Sequence, residues 1–170
     1  CTIPPLRVIP PPELELPVRK YLDGLGVKVG SRYAVIQPTS KFFTKEWTPE
    51  GFAEIATYLA GEHGLQVVLC GGPGEESKLQ SVVQRCQEEV AVCAGISVGE
   101  LLWVLRGAKL FVGNDSGPGH LSGIIGMPTV SIFGSTDPNI WRPLGPRVKV
   151  IRKEPMEAIE VTDVLSALSP

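Results

Sequence analysis

FVGNDSGPGH (111–120) is the stretch on which the fold turns. The apolar run LFVG (110–113) breaks into an acid, a hydroxyl and glycines, and a second apolar segment, LSGIIGMPTVSIFG (121–134), follows at once. A short apolar run closed by turn residues reads as a buried strand. The segment after it, entered through Pro118, reads as a short helix beginning near His120. Backbone N–H groups at such a helix start are unpaired and carry partial positive charge, so they attract phosphate. The turn therefore has three readings: an Asp or Ser cap and nothing more, a phosphate cradle, or part of a catalytic centre.

The same alternation repeats on either side. YAVIQ (33–37), LQVVLC (65–70), VAVC (90–93), LFVG (110–113), TVSIF (129–133) and VKVI (148–151) are strand candidates. Between them lie segments with helical periodicity. Thr48 and Pro49 open one whose shared face is Phe52, Ile55, Ala56 and Leu59. Leu79, Val82, Val83 and Cys86 mark a second, and Ser97 with Glu100 form a capping box for a third. Residues 121–125 make a fourth, and 161–168 a fifth that ends the chain. Strands alternating with helices imply right-handed crossovers and a parallel sheet. The expected fold is α/β, a doubly wound Rossmann-like sheet of about six strands, with ligands beyond the carboxyl ends of those strands.

Residues 1–30 are of another kind. IPPPELELP and GLGVKVG flank a stretch, 18–25, with room for one or two helical turns. Repeated proline fixes extended backbone, as suits a Pro-rich connector between domains, with the nucleotide-binding domain occupying 31–170. The chain opens on Cys1 rather than Met, which fits a piece of a longer protein better than a lipidated N-terminal cysteine.

At 170 residues, 43% apolar and 20% charged, the composition is that of an ordinary globular domain. A net charge of −2 with interspersed Lys and Arg provides no basic stripe for a nucleic-acid backbone. No apolar run approaches the roughly 20 residues of a spanning helix, and the N-terminus lacks the pattern of a signal peptide. Cys70, Cys86 and Cys93 fall in apolar runs without C-x-x-C or His spacing, so they read as buried thiols rather than metal ligands.

The loops that follow the strands are the chemically unusual ones. QPTSKFFTKEW (37–47) carries Thr39, Ser40, Lys41 and Lys45, and either lysine could neutralise a phosphate or simply be solvated. Trp47 reads as packing for that loop. GGPGEES (71–77) is not G-x-G-x-x-G, which counts against a standard dinucleotide site. Glu75 and Glu76 either complement a helix dipole, or one of them binds ribose hydroxyls. In NDSGPGH, Ser116 adds a hydroxyl and Gly117 permits close approach. Asp115 beside a phosphate makes sense as a cap, as a partner for lysine, or as an acceptor for a sugar hydroxyl. His120 either serves a phosphate or leaving group, or is a buried histidine bonded to a carbonyl. In GSTDP (134–138), Asp137 orders the loop before Pro138.

VGNDSGPGHLSGIIGMPTVSIFGSTDP (112–138) resembles the hallmark of the ADP-heptose:lipopolysaccharide heptosyltransferases, glycosyltransferase family 9. That pattern is an acid, Ser or Thr, Gly, two variable positions, His, an apolar helix, Gly-x-Pro and a Phe-Gly-x-Thr loop. Lys45 and Trp47 in a K-x-W arrangement, the GGPGEE turn and the closing EAIEVTDVLSAL extend the likeness over nearly all of the chain from Tyr33. The family has K-x-W-P, whereas Thr48 intervenes before Pro49 here.

The resemblance implies a GT-B enzyme of two Rossmann-like domains, this chain being the C-terminal, donor-binding half. The absent N-terminal domain would bind the lipopolysaccharide core acceptor and supply the general base. By resemblance, Thr39, Ser40, Lys45, Ser116 and Gly117 hold the diphosphate, and Glu75 or Glu76 takes the ribose. Asp115 and His120 are the catalytic positions of the hallmark. The family is inverting and uses a nucleotide-sugar, expected to be ADP-heptose, without metal or further cofactor. A cytoplasmic place at the inner face of the bacterial inner membrane goes with it. A non-catalytic nucleotide-binding module and a sugar-nucleotide epimerase of the same fold are the alternatives.

Overall fold

Six Val- and Ile-rich runs form strands β1 (Tyr33–Gln37), β2 (Gln66–Gly71), β3 (Val90–Ala94), β4 (Leu110–Asn114), β5 (Thr129–Phe133) and β6 (Val148–Arg152). The computed structural model describes residues 8–28 and 30–169; the expectations for Cys1 and the first prolines, at 1–7, lie outside them. All strand pairs are parallel, in the order β3-β2-β1-β4-β5-β6. The order reverses between β1 and β4, so the crevice of this doubly wound sheet opens at their carboxyl ends.

Alternate residues of each strand feed two cores. Ala34 and Ile36 face a cluster with Phe52, Ile55 and Leu59 of α2 (Pro49–Gly61), Leu79 and Val82 of α3 (Glu76–Val83) and Val164 of α7 (Val161–Leu168). Tyr33 and Val35 face the opposite cluster, with Val104 and Leu105 of α4 (Val98–Gly107) and Leu121 of α5 (Gly117–Ile124). Burying a side chain such as Phe52 or Phe111 contributes about 1.5–3 kcal/mol, and both are fully inaccessible to solvent.

Local chemistry sets the helix starts. Thr48 Oγ1 accepts from Gly51 N at 3.1 Å and Pro49 occupies the first turn of α2. At α4, Ser97 and Glu100 form the reciprocal box expected of them. The Ser97 hydroxyl and amide hold the Glu100 carboxyl below its ordinary range, so the box is intact at neutral pH and is lost as acid protonates Glu100. Ser97→Ala is expected to cost about 1 kcal/mol, a fall of about 2–4 °C in Tm by calorimetry.

Three segments differ from the sequence expectation. The one or two turns foreseen at 18–25 are a ten-residue helix, α1 (Glu15–Gly24). Val18 and Leu22, four apart, bury against α4 and so lengthen it, and with Val27 they bring part of the foreseen connector into the second core. Helix α5 begins at Gly117, not near His120, because the fixed φ of Pro118 suits a first turn. A single turn, α6 (Pro138–Trp141), capped by Asp137 through Asn139 N at 2.9 Å, follows β5. Cys70 and Cys93 are buried, directly paired across β2 and β3, and Cys86 is half-buried. Among the described residues no helix is long and apolar enough to cross a membrane.

Candidate functional site

The loops after β1, β2, β4 and β5 meet at the carboxyl edge of the sheet, and they are tied to one another side chain by side chain. Asn114, the last residue of β4, is fully buried and clamps the β1 loop from both ends. Its Nδ2 donates to Pro38 O at 2.9 Å and its Oδ1 accepts from Trp47 N at 3.0 Å. Trp47 stands edge-on to Phe52 and donates from Nε1 to Ile159 O at 2.9 Å, so it packs the loop as expected. Between these anchors a 3-10 turn, Phe43–Lys45, delivers Lys45 back over the strand ends.

Lys45 Nζ donates to Asp115 Oδ2 at 2.7 Å. Of the three roles open to Asp115, pairing with lysine is the one present; Ser116, not Asp115, is the N-cap residue of α5. Thr136, from the β5 loop, donates to the same oxygen at 2.8 Å. His120 Nε2 lies 3.9 Å from Asp115 Oδ1, with its side chain 38% exposed, so it is not a fully buried histidine. Asp115 is thus nearly inaccessible and gathers three elements, while Lys45 and His120 keep access to solvent.

Beside this cluster α5 begins. Gly117 and Gly119 are in its first turn, where amides lack intrahelical acceptors, and Pro118 contributes none. An anion there meets partial positive charge and, close by, the ammonium of Lys45.

On the other side of the α5 start lies a cleft of about 430 Å³ lined by Gln37, Cys70, Gly71, Gly72, Pro73, Ile96, Val98, Leu101, Gly117, Pro118 and Leu121. Its walls are mostly apolar. The Cys70 thiol in its lining is pushed well up by its hydrogen bond with Cys93 and by burial, so it stays neutral at physiological pH. Glu75 stands at the N-cap of α3, and its Oε2 accepts from Gly72 N and Thr39 Oγ1, both at 2.6 Å. Glu76 is exposed in the first turn of α3. Thr39 and Ser40 are buried, Ser40 N donating to Glu46 Oε1 at 2.8 Å. Lys41 is exposed against the Phe42 ring.

The structure therefore brings Thr39, Lys45, Glu75, Asp115, Ser116, Gly117 and His120 together at the carboxyl edge of the sheet, with Gly117 alone of them lining the apolar cleft, and leaves Glu76 and Lys41 outward. Sequence reading passed over Gln37, Asn114, Thr136 and the apolar wall of Ile96, Val98 and Leu101. Gln37 carried a usable signal, a polar residue closing a continuously apolar strand. The wall carried none, because Ile96 and Val98 resemble any apolar residues around a helix start.

Residues 11–167 match the family model described as glycosyltransferase family 9 (heptosyltransferase). The chain is 34% identical over 137 residues to lipopolysaccharide heptosyltransferase 3 of Escherichia coli, covering 78% of this chain and 39% of that protein. Among solved structures, a family 9 glycosyl transferase from Veillonella parvula superposes with a TM-score of 0.86 at 23% identity, over 95% of this chain and 52% of that one. The E. coli heptosyltransferase WaaC with ADP gives 0.73 at 27% identity, over 81% and 43%. The chain thus spans between two fifths and about half of the relatives it matches.

Proposed function

We propose, since the chain belongs to glycosyltransferase family 9, that it forms the donor-binding half of an enzyme moving a heptose-type sugar from an ADP-sugar to a lipopolysaccharide core. The observation that carries this is the junction of Lys45, Asp115 and Thr136 beside the open start of α5 and an apolar cleft. The base lies in the cleft against Ile96, Val98 and Leu101. The diphosphate lies on the Gly117 and Gly119 amides with Lys45, and Thr39, Ser40 and Ser116 contribute their hydroxyls. Glu75, rather than the outward Glu76, takes the ribose, and Asp115 with His120 flanks the sugar. The E. coli neighbour named with ADP supports adenine as the base.

In the reaction the acceptor oxygen attacks the anomeric carbon from the face opposite ADP, inverting it, and the bond to the β-phosphate oxygen breaks. Negative charge grows on the departing diphosphate, where fixed amides and Lys45 act most strongly. The acceptor proton passes to a base on a second domain, joined through the Pro-rich region before β1, that also binds the core oligosaccharide. The enzyme works at the cytoplasmic face of the inner membrane. The family match supports this reading over a non-catalytic nucleotide module or an epimerase.

Titration calorimetry with ADP, GDP, UDP and CDP tests it. ADP is expected to bind at micromolar concentration and ahead of the others; no nucleotide bound at millimolar concentration overturns the reading.

A further inference from the structure

Gln37 closes β1 at the point where the strand order reverses, is 5% exposed, and stands at the lining of the apolar cleft, outside the ion-pair cluster. Its Nε2 donates to Thr39 O at 2.7 Å and Thr39 Oγ1 at 2.9 Å, and its Oε1 accepts from Ser116 Oγ. The amide cannot be turned over. A carbonyl oxygen only accepts, so the group facing Thr39 O must be the NH₂, and the group facing Ser116 must be the oxygen.

Proton directions along the rest of the line follow. The Thr39 hydroxyl already accepts from Gln37, so its single proton goes to Glu75 Oε2, at 2.6 Å. The Ser116 hydroxyl has two neighbours, Gln37 Oε1 and Asn114 O, the latter at 3.1 Å, and both are acceptors. The chain therefore runs one way, Ser116 to Gln37 to Thr39 to Glu75, from the start of α5 across the end of β1 to the head of α3. Both hydroxyl protons are committed inward.

A phosphate oxygen accepts and does not donate. A phosphate that engages Ser116 or Thr39 must take a proton out of this chain, which leaves Gln37 Oε1 without its donor or Glu75 Oε2 with the Gly72 amide alone. A ribose hydroxyl can then supply Glu75.

We infer that Gln37 is a positioning residue that couples recognition of the ligand's phosphates, at Ser116 and Thr39, to recognition of its ribose, at Glu75. The inference rests on the donor-site reading above and adds to it a specific dependence between two residues, Gln37 and Glu75, that share no hydrogen bond and communicate only through Thr39.

Residues without a direct contact ordinarily contribute independently, and a double-mutant cycle measures the departure from that. Calorimetry with ADP on the wild type, Gln37→Leu, Glu75→Gln and the double variant is the experiment. Each single change is expected to weaken ADP about tenfold, as loss of one charged or buried hydrogen bond does. The double change is expected to weaken it about tenfold as well, instead of about a hundredfold. The preference for ADP over 2′-deoxy-ADP is expected to fall in Gln37→Leu, although the ribose is assigned to Glu75 and not to Gln37. Should Gln37→Leu fail to fold by thermal melt, the isosteric Gln37→Glu, which lacks the donor for Thr39 O, replaces it in the same cycle. Multiplicative losses with an unchanged preference for the ribose overturn the coupling and leave the donor site standing. A wild-type protein that takes up no ADP at millimolar concentration overturns both.

Discussion

Lys45→Ala is expected to weaken ADP binding about 10- to 100-fold, the consequence of removing one charged hydrogen bond of about 1.5–3 kcal/mol. Lys45 comes to the strand ends on a turn fixed by Asn114 and Trp47, and its side chain is 23% exposed, so a bound diphosphate can reach it without unfolding the loop. Asp115→Asn is expected to act in the opposite sense on the same ligand. The carboxylate repels a diphosphate and holds Lys45 at 2.7 Å; the amide still accepts from Thr136 but carries no charge to hold the ammonium or repel the phosphates. ADP should therefore bind Asp115→Asn as tightly as the wild type or more so, while the advantage of an ADP-sugar over ADP shrinks. Calorimetry on the two variants separates these outcomes. If Asp115→Asn loses ADP as severely as Lys45→Ala, Asp115 serves the diphosphate and not the sugar.

The largest loss of stability is expected from Trp47→Ala. The indole is 3% exposed, packs edge-on to Phe52 and bonds the backbone before α7, so it joins the β1 loop to a segment more than a hundred positions away. Its ring also fills the space where a Cβ on Gly51 would stand, so α2 is shaped around it. Truncating a buried tryptophan costs about 3–5 kcal/mol, which for a chain of this size lowers Tm by about 6–20 °C. Trp47→Phe, which retains most of the packing and loses the hydrogen bond to Ile159 O, should cost about 1 kcal/mol from that bond, plus a small packing loss. Scanning calorimetry distinguishes the two. A drop of less than 3 °C for Trp47→Ala contradicts the anchoring role. ADP affinity should fall with Trp47→Ala even where the fold survives, since Lys45 is two residues from the lost anchor.

Much of the fold was legible in the sequence because it depends on short-range pattern. Continuous apolar runs of four to six residues gave the strands to within a residue or so. Thr48-Pro49 and the pair Ser97 and Glu100 are caps that act over three residues, so they read correctly without neighbours. The length of α1 was not legible. Its propensity is weakened by Pro17 and the glycines that follow, and only burial of Val18 and Leu22 against α4 extends it to ten residues.

The residue types of the candidate site were likewise visible in the loops after the strands, and the family was legible in the ordered motif from 112 to 138. What each residue touches was decided elsewhere. Asp115 had three possible roles, and pairing with Lys45, seventy positions away, is set by the parallel register of β1 against β4. Glu75 and Glu76 are neighbours of like chemistry, and only the turn at Gly72 sends one inward and the other to solvent. Composition and local periodicity thus determined a doubly wound α/β domain with polar loops at one edge, because strand and helix signals act over a few residues. Which loop side chains share a proton or a charge depended on the sheet bringing four strand ends together, a long-range contact that local pattern does not encode.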